Sequence, residues 1–206
     1  MFGDLRFRRF RSRDELWLDV HKSAQGCIKQ CERRSIQVRE VGADIAIGQL
    51  YPLLAQSYAH SGVPLVDRSH FDASVRELYP SGKLKFFAAY DGETPVAMDA
   101  LLTFKQRVYL WYGGLTRATE GSPCSLLRWH ELCWARENGY DVYDSGGAGW
   151  PDVPYGVREF KRKFGGELVQ FGRYRKVLSP WMLALAERAY SLRRKTFRKH
   201  GERGSD

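Results

Sequence analysis

Nowhere does this chain of 206 residues carry a run approaching the roughly 18 apolar side chains that a helix needs to cross a bilayer. Its start, MFGDLRFRRFRSRDE, is basic with no apolar stretch behind it, so it does not read as a secretory leader and the expected compartment is the cytoplasm. Cysteine is scarce. Of the four, Cys27 and Cys31 stand one helical turn apart and Cys124 and Cys133 flank or fall within a later helix, with no second close pair or adjacent histidine to make a zinc site. A Ser-His-Asp or Cys-His arrangement, a phosphate loop and a dinucleotide fingerprint are also missing. Direct transfer from an activated acyl donor to an amine needs none of these, only an aligned carbonyl, a neutral amine and a cation or N–H groups facing the developing oxyanion.

What is abundant is positive charge. The net charge of +9 gathers in three places. Arg6, Arg8, Arg9, Arg11 and Arg13 crowd the start. Arg158, Lys161, Arg162, Lys163, Arg173, Arg175 and Lys176 form a central cluster, and Arg188, Arg193, Arg194, Lys195, Arg198 and Lys199 stand near the end. Such clusters attract polyanions through counterion release. In the central one Tyr155, Phe160, Phe164, Phe171 and Tyr174 interleave with the cations, which is what a nucleotide or a single-stranded RNA end stacks on.

The apolar pattern divides the chain. Ser12-Arg13-Asp14-Glu15 is a capping box, and Leu16, Val20, Ala24, Cys27 and Cys31 follow at helical spacing, predicting one helix to about Arg34. Ile36 to Val41 alternates as a strand, Asp44 opens a helix through Leu50, Leu53, Leu54 and Tyr58, and Ser69 caps a third ending near Pro80. A meander succeeds these: Leu84 to Tyr90, Pro95 to Phe104 and Val108 to Leu115, joined by short turns and so antiparallel. Within it Asp99 interrupts an apolar run, on the face opposite Val96 and Met98, and reads either as a hydrogen-bonded or solvated carboxylate or as part of a cleft. The loop Thr116 to Pro123 leads to a helix, Ser125 to Asn138, with Leu126, Leu127, Trp129, His130, Cys133 and Trp134 on its apolar side; His130 reads as a core histidine.

The stretch Tyr143 to Leu178 is the most informative. Asp141 to Asp144 reads as a strand broken by Ser145-Gly146-Gly147-Ala148-Gly149, where a ligand can approach the backbone closely. Tyr155 to Gly166 then sets Val157, Phe160 and Phe164 at helical spacing, with Lys161 beside that face, and a final hairpin is expected after it. The combination Y-G-V-x-x-F-K-x-x-F after a strand and glycine turn resembles the C-terminal signature of the FemABX aminoacyltransferases, which share the GNAT acyltransferase fold.

The resemblance implies a single α/β domain with a mixed, mostly antiparallel sheet, comprising a helical lead with a first strand (12–41), a core (43–178) and a basic C-terminal helix with its tail (180–206). Members typically carry two such halves, and this length holds one. It implies aminoacyl-tRNA as donor, a tRNA partner, and a primary amine of a small peptide, peptidoglycan precursor or natural-product intermediate as acceptor. The alternatives are an acyl-CoA-dependent N-acyltransferase and a non-catalytic RNA-binding accessory protein. Catalysis falls to Lys161 of the Phe160-Lys161 pair, which would face the oxyanion, with Asp144 and Asp99 as candidates to orient or deprotonate the amine. Donor binding falls to Gly146, Gly147, Tyr155, Arg158, Arg162 and Lys163. Arg117, Gly121 and Ser122 add either an ordinary strand-helix loop or a pyrophosphate loop at a helix N-terminus, one residue off the usual spacing. No metal or resident cofactor is expected.

Overall fold

The capping box forms as the sequence predicts: Glu15 N–H donates to Ser12 Oγ at 3.1 Å and Ser12 N–H to Glu15 Oε2 at 2.8 Å. The helix it starts does not run to Arg34. In this computed structural model, which describes residues 2–6, 12–61, 63–116, 121–150, 153–169 and 176–201, α1 (Arg13–Asp19) ends at the extended Val20 and α2 (Lys22–Arg33) begins after it. The break is held from outside the helix. His21 N–H donates to Lys163 O at 2.7 Å, while the Gln25 amide caps the freed carbonyls of Trp17 and Val20. The apolar stripe survives the interruption, but Ile28 rather than Cys27 occupies its buried row with Leu16, Val20, Ala24 and Cys31.

Beyond this lead come β2 (Gln37–Glu40), α3 (Ala43–Ser61) and α4 (Arg68–Leu78). Asp67, not Ser69, caps α4, its carboxylate accepting from Ser69 N–H at 2.9 Å. The meander appears as β3 (Leu84–Asp91), β4 (Thr94–Phe104) and β5 (Arg107–Leu115), followed by α5 (Pro123–Glu137), β6 (Val142–Gly147), α6 (Gly156–Arg162), β7 (Glu167–Val169) and α7 (Pro180–Gly201). One further strand, β1 (Phe2–Arg6), lies in what reads from sequence only as a basic start.

The seven strands form one sheet in the order β2-β3-β4-β5-β6-β1-β7, antiparallel except for the β5–β6 pair. The mixed, mostly antiparallel α/β architecture is therefore the one the sequence implies. The place of β1 is not. It pairs antiparallel with both β6 and β7, so β7 finds its partner at the front of the chain. The expected hairpin's second half falls at 170–175, outside the described residues.

Helices cover both faces. On one, α1, α2 and α5 bury Leu16, Ile28, Leu127, Leu132 and Tyr143; on the other, α3 and α4 bury Leu50, Leu54, Phe71, Phe86 and Met98. Gly114 brings α3 close, because a Cβ there would lie 2.7 Å from the backbone of Leu53 and Leu54.

The parallel β5–β6 pairing spans only Arg107–Tyr109 against Val142–Asp144, although β5 continues to Leu115. The two strands part there, and the glycine segment lies on the β6 side of the opening. Ser145, Gly146 and Gly147 belong to β6 rather than ending it at Asp144. The register slips between Gly3 and Asp4, which face Gly146 and Asp144, leaving Ser145 as the bulged residue; Gly146 takes φ +72°. The expected turn is thus a bulge that bends a strand without breaking its pairing.

Candidate active site

Lys161 is placed by a chain of local constraints. The loop after β6 is braced by Arg158, whose guanidinium donates to the carbonyls of Trp150 at 2.6 Å, Val153 at 2.7 Å and Ala148 at 3.4 Å. The buried face of α6 therefore carries Arg158 in place of the expected Val157, which is exposed. Phe164 anchors the other end in the core, with the half-buried Phe160 ring edge-on to it at 5.3 Å. Between these anchors Lys161 folds back, half-buried, and its Nζ donates to Gly147 O at 2.7 Å. The ammonium is thereby held at the end of β6, beside the opening between β5 and β6.

Burial and the nearby Arg128 cation push the Lys161 amine down to about 8, against the opposing pull of Asp144 and Asp99. At neutral pH it remains mostly charged yet gives up its proton far more readily than a surface lysine. Below it lies a buried cluster of which sequence reasoning named only Asp99. Arg128 Nη2 donates to Asp99 Oδ2 at 3.1 Å, and Nη1 pairs with Glu131 Oε2 at 3.0 Å and also reaches the Tyr143 hydroxyl. That hydroxyl in turn donates to Glu131 Oε2 at 2.5 Å. Burial raises the pKa of both carboxyls, that of Glu131 well above the ordinary range because Asp99 adds repulsion. Asp99 is thus a hydrogen-bonded buried carboxylate facing α5, opposite Met98, although Val96 joins it on the α5 side. Gly113 makes room: a Cβ at that position would lie 2.3 Å from Asp99 Oδ1.

The signal for the missed residues was present but ambiguous. Arg128 and Glu131 are one turn apart within an apolar helix, and on a one-sided helix they read as its wet face. Instead α5 is buried nearly all round, from Ser125 through Ala135.

Asp144 is buried at the bulge. Its Oδ1 accepts from Gly146 N–H at 2.8 Å and its Oδ2 lies 3.8 Å from Arg107. Lys161, Asp144 and Asp99 therefore share one electrostatic neighbourhood. A cavity of about 20 Å³, roughly the room of one water, touches Lys161, Arg128, Ser145, Leu132 and Phe164.

The remaining candidates surround this centre. Arg162 and Lys163 are exposed at the end of α6, with the Lys163 carbonyl taken by His21 N–H. Tyr155 lies against Gly149, which takes φ +70°, and is near enough to add to the raised pKa that burial gives the Tyr58 phenol. Tyr58 and Tyr112 are 6.3 Å apart between ring centroids. Arg117 lies outside the described residues; Gly121 and Ser122 stand at the start of α5, packed toward Cys31 of α2, and no Ser122 side-chain bond caps that helix. The Cys124 thiol, pushed up to about 12 by burial, is no thiolate nucleophile at neutral pH. His130, half-buried with its ring 5.8 Å from Phe87, has its pKa lowered by burial.

A family model described as an acetyltransferase (GNAT) domain matches residues 19–162. Among solved structures, FemX superposes with a TM-score of 0.70 at 13% identity, over 81% of this chain and 58% of that one. L-PGS from Bacillus licheniformis gives 0.58 at 10% identity, over 81% and 56%. The aminoglycoside acetyltransferase meta-AAC0020 from an uncultured soil metagenomic sample, in complex with sisomicin, gives 0.54 at 12% identity, over 72% and 99%. At these identities the likeness is one of fold, and the chain spans a little over half of the first two proteins. No curated protein matches the sequence significantly.

Proposed function

Because the chain belongs to the family of GNAT acetyltransferase domains, and is on that account an acyltransferase, we propose that it moves an aminoacyl group from aminoacyl-tRNA to a primary amine. The acceptor would be a small peptide, a peptidoglycan precursor or a natural-product intermediate. The observation that carries this reading is the Lys161 ammonium, fixed on Gly147 O beside the parted strands. The neutral acceptor amine attacks the ester carbonyl of the donor, forming a C–N bond and a tetrahedral oxyanion that Lys161 faces. Collapse breaks the ester C–O bond; the nitrogen loses a proton and the departing ribose oxygen gains one. The exposed Arg162 and Lys163 flank this point and suit a polyanionic donor. Since charged tRNA is a cytoplasmic donor, the reading carries that location with it.

One observation favours acyl-CoA instead. The N-terminus of α5 has no side-chain cap, and such a terminus offers N–H groups to a pyrophosphate. Incubation with a mixed charged-tRNA pool, coenzyme A thioesters and candidate amines, followed by mass spectrometry, separates the two. Amide formed only with charged tRNA is the expected result. Transfer only from thioesters would select the second reading, and transfer from neither, across a broad amine set, would leave an RNA-binding accessory role.

A further inference from the structure

Arg128 and Glu131 stand one turn apart on α5, and Asp99 reaches them from β4. One guanidinium thus serves two carboxyls, Asp99 on Nη2 at 3.1 Å and Glu131 on Nη1 at 3.0 Å. All three side chains are buried, Glu131 completely. The next cation, Lys161, is turned to Gly147 O and has Asp144 as a counter-charge of its own. Two ionised carboxylates on Arg128 would therefore leave a negative charge unmatched out of water, and a buried site relieves that by taking up a proton. The contacts say where the proton goes. The two carboxyls hydrogen-bond each other, and such a bond needs a proton on one of them. Glu131 Oε2 already accepts from Arg128 Nη1 and from the Tyr143 hydroxyl at 2.5 Å, whereas its Oε1 is buried with no donor in reach. Oε1 is the oxygen free to carry a proton to Asp99. The groups acting on Glu131 are Asp99 of β4, Arg128 and Cys124 of α5 and the Tyr143 hydroxyl of β6, while Lys161 of α6 acts on Asp99.

We propose that Glu131 and Asp99 hold one proton between them at neutral pH, carried on Glu131 Oε1, and that Glu131 is thereby a positioning residue that leaves the Arg128 cation balanced by Asp99 alone. Its meaning for catalysis rests on the acyl-transfer reading: a second anion beside Arg128 would favour the charged Lys161 amine and move its loss of charge to higher pH. Infrared difference spectroscopy of the full chain, wild type minus Glu131→Gln, reads the proton directly, since the amide keeps the shape of a neutral acid. At pH 7, well above the value of about 4.3 where an ordinary glutamate titrates, a protonated-carboxyl band is expected in wild type and absent from the variant. Asp99→Asn sets an uncharged amide against Glu131, so the band should then titrate about a unit or more lower in pH. Competitive acylation of Lys161 against pH, read by mass spectrometry, should give Glu131→Gln a midpoint near the wild-type value of about 8, because one neutral group replaces another. Absence of the band at pH 7, a band whose titration ignores Asp99→Asn, or a Lys161 midpoint lowered by about a unit in Glu131→Gln overturns the proposal. The last would show that the substitution had removed an anion. Should either variant not fold, the difference between neutral and alkaline wild-type spectra still reveals the band or its absence. All these measurements are made without donor or acceptor, so a failure of the acyl-transfer reading is told apart by its own assay.

Discussion

Behind α3 and α4 the sheet buries Leu50, Leu54, Phe71, Phe86 and Met98, and among the described residues no charged side chain of those two helices is buried with them. Behind α5 it buries Arg128, Glu131 and Asp99 beside Leu127 and Leu132. The first filling stabilises in proportion to the apolar area removed from water. The second does not, because taking three ionisable groups out of water costs about as much as their mutual attraction returns, and well-packed apolar residues of similar volume often do as well or better. The difference teaches that the charged side answers to something besides stability. It lies against Lys161, whose acidity Arg128 and Asp99 help to set.

Arg128→Met should produce the largest effect, because it leaves two carboxyls in one buried pocket without their counter-charge. A loss of about 3–5 kcal/mol in unfolding free energy is expected from denaturant titration. A loss near zero would erase the contrast between the faces.

Lys161→Met comes next and should act on rate instead of folding. Removing a cation where the oxyanion develops should reduce turnover about 100- to 1000-fold with little change in donor binding. Arginine should rescue poorly, since its planar fork does not replace a compact charge. Retention of more than about a third of wild-type turnover would move the search to Asp99 and Asp144.

The pH profile sharpens the same point. The Lys161 ammonium persists below about 8 and is lost as pH rises through that value, so an oxyanion role predicts turnover falling above pH 8, while a base role predicts it rising. Lys161→Arg, whatever activity it keeps, should remove that limb, because its guanidinium stays charged.

The smallest effect belongs to the apolar side. Ile47 of α3 is buried in that core, and Ile47→Val should cost about 0.5–1.5 kcal/mol in stability and leave turnover per folded molecule unchanged. A matching loss of rate would show that the two sides are not separable.

Much of this was legible in the residues. The β3–β5 meander was readable because alternation and tight turns are local signals, and so was the α6 helix that carries Lys161, because its spacing is local too. Arg128 and Glu131 were not, since sequence periodicity describes one helix against one surface, and α5 is covered on nearly every side. The α1–α2 break was hidden because its cause, the Lys163 carbonyl on His21, comes from far along the chain. β1 was hidden for the same kind of reason: a segment of five residues acquires strand character only from β6 and β7.

That last pairing has a consequence during synthesis. Residues 2–6 leave the ribosome well before their partners at Val142–Gly147 and Glu167–Val169. At cellular translation speeds the early strand waits on the order of ten seconds for them. The β2–β5 portion can assemble in the meantime from neighbouring segments, whereas the β6 side, which carries Lys161's anchor, closes only once Glu167–Val169 has been made.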